Sequence, residues 1–169
     1  MKKIAIILAS EQKNLELANH IKKEIEGTGN EACLIKLIDL NLPLYTSRAE
    51  KEHSPAELLG DSLTRLKESQ GIIFIAPEYN GGIPPMLTNF LAWVSRSTKN
   101  WRENLTGKPA ALGTYSGGPG SNVITSLRLQ LSYIGMNVVG RAMQFHSKND
   151  FNESDIKAVV GELIKIIPQ

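Results

Sequence analysis

Two stretches of this chain, Ile4-Ala5-Ile6-Ile7-Leu8 and Ile72-Ile73-Phe74-Ile75-Ala76, are apolar at every position and rich in β-branched residues. A strand with one wet face alternates apolar and polar side chains, so an unbroken run of this length suits a strand covered on both faces. Parallel sheets provide that environment, because parallel neighbours are joined by crossovers whose helices lie over the sheet. The intervening segments fit. Leu15, Leu17, Ala18, Ile21 and Ile25 recur with helical spacing, and Gly27-Thr28-Gly29-Asn30 stops that helix. Ala32, Leu34 and Leu37 then interleave with polar residues, as in a strand nearer the sheet edge.

The segment from Asp39 to Pro55 reads as irregular and polar, a long connection of the kind that is more often functional than accidental. Leu58, Leu59, Leu63 and Leu66 predict one helix from about Pro55 to Lys67, leading into the central run. A helix from Pro84 to Arg96 follows, then a strand over Lys108 to Thr114 and a helix through Val123, Leu127, Leu131 and Ile134. A fifth strand from Met136 to Ala142 and a final helix from Glu153 to Ile167, capped by Asn152 or Ser154, complete the pattern. Five strands alternating with helices predict an α/β three-layer sandwich, its parallel sheet ordered 2-1-3-4-5. In that order the polar loops after strands one, three and four meet at one rim.

Composition narrows the function classes. The chain of 169 residues fits one domain. Its 19 basic and 17 acidic residues give a net charge of +2, which points to neither nucleic acid nor a membrane surface. The single cysteine, Cys33, reads as a small core residue and excludes a disulfide or thiolate zinc site within one chain. His20, His53 and His146 lack metal-like spacing. The run ending at Ala9 is too short for a signal-peptide core or a span, so a cytoplasmic protein is expected. No nucleophile elbow or phosphate-loop lysine appears, which removes esterase and nucleotide-hydrolase readings.

The most informative turn is Pro77-Glu78-Tyr79-Asn80-Gly81-Gly82-Ile83-Pro84. It leaves the carboxyl end of a central strand, its glycines admit close approach of a flat ligand, and its prolines pre-set the next helix. With Leu87, Asn89, Trp93 and Ser95, this loop resembles the signature of the NADPH-dependent FMN reductase family, which has a flavodoxin-like fold. The resemblance implies that Pro77, Glu78, Tyr79, Asn80 and Gly81 border the flavin ring. It implies also that the glycine cluster Tyr115, Ser116, Gly117 and Gly118 borders the pyrimidine edge. FMN and NADPH or NADH are the implied cofactors, and a quinone, free flavin, azo compound or metal oxyanion the implied small-molecule acceptor. A homodimer or homotetramer is implied too, with Met86, Phe90 and Trp93 as the candidate subunit surface.

The first polar turn, Ala9-Ser10-Glu11-Gln12-Lys13-Asn14, departs from the family pattern by being shorter and lacking an arginine. Ser10, Gln12, Lys13 and Asn14 still place donors at a helix start, where the macrodipole favours an anion such as the FMN phosphate. Glu11 is expected to face solvent. Two further readings accompany the reductase: a flavin-free binding or regulatory relative, and an electron-transfer flavodoxin.

Overall fold

The computed structural model describes residues 1–168. Five parallel strands, β1 (Lys3–Leu8), β2 (Glu31–Lys36), β3 (Gly71–Ile75), β4 (Pro109–Ser116) and β5 (Asn137–His146), form one sheet in the order β2-β1-β3-β4-β5. This is the flavodoxin-like arrangement. The unbroken apolar runs are explained by the two cores. Ile4, Ile6, Leu8, Ile73 and Ile75 pack under helices α1 (Gln12–Gly27) and α7 (Glu153–Ile166). Ala5, Ile7, Ile72 and Phe74 point the other way, against α4 (Asp61–Glu68), α5 (Pro85–Val94) and α6 (Ser121–Ile134). Successive residues of a strand face opposite sides, so a strand with a helix layer on each side must be apolar throughout.

Three elements differ from the expectation. The helix foreseen from Pro55 to Lys67 is two helices, α3 (Pro55–Leu59) and α4, because Gly60 takes φ +49° and turns the chain between them. That dihedral is open to glycine and strained for other residues. The connection from Asp39 to Pro55 is partly regular, with a 3-10 turn over Leu37–Leu40 and a short helix α2 (Ala49–Glu52). Strand β5 runs on to His146, with Met143 and Phe145 buried. Its pairing with β4 contains a bulge: Ala110 lies opposite Val138 but Leu112 lies opposite Ala142, so Val139, Gly140 and Arg141 together face Ala111. The Arg128 guanidinium holds the bulge by donating to the carbonyls of Val139 (2.6 Å) and Gly140 (3.0 Å).

The segment Asn41–Arg48 is a strap fastened across α5. Trp93 Nε1 and Asn89 Nδ2 both donate to the Pro43 carbonyl, at 2.7 and 3.0 Å, and the Tyr45 N–H donates to Asn89 Oδ1 at 2.7 Å. The Tyr45 ring meets Trp93 edge-on at 5.2 Å, and its hydroxyl donates to Glu50 Oε2, which also pairs with Arg96. Phe90 and Trp93, foreseen on a subunit surface, are fully buried within the protomer. The strap covers one side of α5 and the sheet the other, so an external partner could meet residues such as Pro85, Met86 and Ala92 but not Phe90 or Trp93.

Near the amino ends of the strands, Lys108, just before β4, reaches to the end of α4, donating to the carbonyls of Leu66 (2.5 Å) and Lys67 (3.0 Å). Those carbonyls have no partner within the helix, and a cation at a helix end is favoured by the macrodipole. Burial nevertheless pushes the ammonium down to about 8. No helix among the described residues is long and apolar enough to cross a membrane.

Candidate functional site

At the carboxyl ends of β1, β3 and β4 the three polar turns enclose one open cleft of about 720 Å³. Hydrogen bonds between neighbouring strand ends fix their approach. The Ala9 N–H donates to the Ile75 carbonyl at 2.9 Å and the Ala76 N–H to the Gly113 carbonyl at 3.1 Å, so the first and third turns leave the sheet side by side. Their helices lie on opposite faces. That divergence is the switch point where ligands of this architecture bind.

Asn14 stitches the first turn to β4. Its side chain is buried, with Nδ2 donating to the Tyr115 carbonyl (2.9 Å) and Oδ1 accepting from the Tyr115 N–H (2.8 Å). Both ends of the amide are therefore engaged by backbone, which makes Asn14 a positioning residue at the cleft floor. The Ser10 hydroxyl differs: its Oγ is buried and has no hydrogen-bond partner among the described residues. Gln12 begins α1 at φ +48°, a left-handed conformation that costs a non-glycine residue about 1 kcal/mol or more. No side chain caps α1. Among the described residues, the N–H groups of Gln12 and Lys13 have no acceptor. A buried hydroxyl without a partner, as at Ser10, is uncommon in native proteins, and with the exposed amides of Gln12 and Lys13 beside it this helix start fits a ligand rich in acceptor oxygens.

Glu78 lines the cleft and also ties the third turn to the fourth strand. Its N–H donates to Ser116 Oγ at 2.7 Å, and its carboxylate accepts from the backbone N–H groups of Asn122 (2.9 Å) and Val123 (3.1 Å) at the start of α6. A carboxylate so placed complements the helix dipole by about 1 kcal/mol. The Ser116 hydroxyl is held in turn by Thr114 Oγ1 at 2.8 Å. Tyr79 and Gly82 exchange both backbone bonds around Asn80 (φ +51°) and Gly81 (φ +74°). These are the dihedrals of a tight hairpin turn, which an Asn-Gly pair adopts readily. Tyr79 stands at its base, 52% exposed, on the cleft rim.

Of the residues singled out in the sequence, Ser10, Gln12, Lys13, Asn14, Pro77, Glu78, Tyr79, Tyr115, Ser116 and Gly117 line this cleft. Asn80, Gly81 and Gly118 do not line it: the first two form the tip of the hairpin, and Gly118 lies one residue beyond the wall. Tyr115 and Ser116, foreseen in a loop, are the last residues of β4. The remaining wall was missed. Ile38, Met86 and Ser147 come from the turn after β2, the first turn of α5 and the end of an unexpectedly long β5. Only the alternation of Met143 and Phe145 with polar neighbours could have signalled that β5 reaches the rim.

The cleft has a polar end and an apolar end. Ser10 to Asn14, Ser116, Gly117 and Ser147 form the first; Ile38, Pro84, Pro85, Met86 and Tyr79 form the second. Among the described lining residues Lys13 is the one lysine or arginine, and its ammonium is bound to Glu16 at 2.6 Å. A second groove of about 510 Å³ lies at the other end of β1, beside Cys33. Four of its charges pair off, Lys3 with Glu68 and Arg65 with Asp61, and burial pushes the Cys33 thiol up, away from reactivity.

A doubly wound sheet with an open cleft at its switch point, lined by unpartnered donors at one end and flat apolar surfaces at the other, defines a nucleotide-like cofactor protein of the flavodoxin-like class. The chain belongs to the NADPH-dependent FMN reductase family, whose model matches residues 2–150. It is 31% identical over 157 residues to the NAD(P)H-dependent FMN reductase LOT6 of Saccharomyces cerevisiae, covering 82% of this chain and 78% of that protein. It is 24% identical over 156 residues to an FMN-dependent NADH:quinone oxidoreductase of Shewanella frigidimarina, covering 79% of each. Its fold matches FerB, a flavoenzyme NAD(P)H:(acceptor) oxidoreductase from Paracoccus denitrificans, with TM-score 0.75 at 23% identity over 99% of this chain and 96% of that one. The chain is a flavin oxidoreductase that uses FMN and NAD(P)H.

Proposed function

We propose that the 720 Å³ cleft is the FMN site and that the enzyme passes electrons from NAD(P)H to small, neutral, planar acceptors of the quinone class. Bound FMN supplies two-electron redox chemistry between donor and acceptor. The residues present fit it. The backbone around Glu78 and Tyr79 and the Ser116 and Gly117 edge offer polar atoms to a heteroaromatic rim, while the orphaned Ser10 hydroxyl and the free amides opening α1 suit its phosphate.

The chain's own residues bind and orient. Glu78 and Ser116 couple the two ring-side turns into one body, so a ring held between them meets a fixed edge. Asn14 keeps the polar end in register with β4. Ile38, Pro84, Pro85 and Met86 exclude water from the other end and offer a flat acceptor an apolar surface.

The observation carrying the acceptor reading is that apolar wall combined with the pairing of Lys13. An anionic acceptor would enter between Glu11 and Glu78 with no free lysine or arginine among the described lining residues. The quinone activity named for the Shewanella relative supports the same choice. The test compares kcat/KM for a neutral quinone with that for chromate or a sulfonated azo dye, using FMN-loaded protein. The quinone is expected to be preferred by at least about 10-fold, since one unscreened like charge near 4 Å costs about 1 kcal/mol or more. Equal rates would refute the acceptor reading; protein that binds no FMN would refute the site itself. Any homodimer or homotetramer has to form without Phe90 and Trp93, and sedimentation at working concentration measures it.

A further inference from the structure

The polar end of the cleft contains donors but no net positive charge. Lys13 is bound to Glu16 at 2.6 Å and lies over the rings of Tyr115 and Phe151, at 5.9 and 5.3 Å from their centres. The hydrogen bond it donates to Glu16 raises the ammonium's pKa and the Asp150 charge adds to the effect, so two carboxylates of the same protein compete for it. Glu11 lines the cleft beside it, is exposed, and places a full negative charge where the β1 turn enters α1. Against these stand the Ser10 hydroxyl, the free amides of Gln12 and Lys13, and the half charge of a helix start. Lys148 is on the same turn as Ser147 but is not part of the cleft wall.

Neutral donors can hydrogen-bond a phosphate, but a carboxylate lining the same cleft repels the dianion and works against them. The two effects offset one another. At the ring end the contacts are backbone atoms, hydroxyls and apolar surface, and the one carboxylate there, Glu78, is engaged by the amides of Asn122 and Val123.

On the reading of this cleft as a flavin site, we infer that it grips flavin by the ring and ribityl chain rather than by the phosphate, accepts riboflavin nearly as well as FMN, and that Glu11 sets this tolerance. The flavin then behaves as an exchangeable substrate. A phosphate held by paired arginines would instead make FMN a captive group, because two charge-assisted contacts slow dissociation by orders of magnitude.

The experiment titrates flavin-stripped protein with FMN and with riboflavin, following quenching of flavin fluorescence, for wild type and for Glu11→Gln. Glu11 has no side-chain cap bond to lose, so the variant is expected to fold as wild type does. In wild type the two dissociation constants are expected to differ by less than about 5-fold, and Glu11→Gln is expected to tighten FMN by about 3-fold or more while leaving riboflavin unchanged. A larger wild-type ratio, or a variant that shifts both flavins alike or neither, overturns the inference and leaves the flavin site standing. Failure of both flavins to bind overturns the flavin site as well.

Discussion

The strap from Asn41 to Arg48 and the turn from Ala9 to Lys13 are both irregular and polar, and both sit near the rim of the sheet, yet they treat their polar groups in opposite ways. In the strap, the Pro43 carbonyl accepts twice, the Tyr45 N–H is taken by Asn89, and the Tyr45 hydroxyl is taken by Glu50. In the turn, the Ser10 hydroxyl is buried without a partner, Gln12 is strained, and the amides opening α1 are free among the described residues. A segment whose hydrogen bonds close internally is part of the scaffold. One whose donors point at an open cleft is completed by a ligand. The sequence marked both as functional candidates, the strap by its length and the turn by its donors, and the accounting of hydrogen bonds separates them.

Trp93→Ala should produce the largest effect. It removes a fully buried indole, its bond to Pro43 and its contact with Tyr45, and a loss of about 3–5 kcal/mol in urea unfolding is expected. A loss under about 1 kcal/mol would mean that the strap is not fastened as described. Asn14→Ala comes next, at about 2–4 kcal/mol, because the Tyr115 N–H and carbonyl would lose their partners in a buried setting. Ser10→Ala should go the other way in flavin-free protein: removing an orphaned hydroxyl is neutral or stabilising by up to about 1 kcal/mol. Destabilisation comparable to that of Asn14→Ala would erase the distinction between the two regions.

A prediction of a different kind concerns Lys108, a donor outside both regions. Burial lowers its folded-state value to about 8 from 10.5. Between those values the unfolded chain binds more protons than the folded one, so stability should rise with pH across that window. The rise should be absent in Lys108→Met. An identical pH profile for the two proteins, measured by thermal unfolding in matched buffers, would show that Lys108 keeps an ordinary value.

The sheet was legible in the sequence because burial on both faces leaves an unmistakable pattern in Ile4 to Leu8 and Ile72 to Ala76. The three turns were legible because glycine, proline and polar residues cluster directly after those runs. What escaped notice depended on partners distant in the chain. Gly60 divides a leucine pattern that reads as one helix, since Leu59 and Leu66 stay in the same core on either side of the break. The task of Glu78 at the start of α6 rests on a residue 44 positions away. Ile38, Met86 and Ser147 carry no signal of their own, and they reach the cleft only because their elements end there.

The irregular pairing of β5 bears on how this protein avoids its own kind. A straight outer strand offers a free row of amides and carbonyls on which a foreign strand can grow. Here Val139, Gly140 and Arg141 crowd against one residue of β4, and Arg128 occupies two of the carbonyls. That margin is bent out of line and partly capped, so β5 makes a poor template for a sixth strand on its side of the sheet.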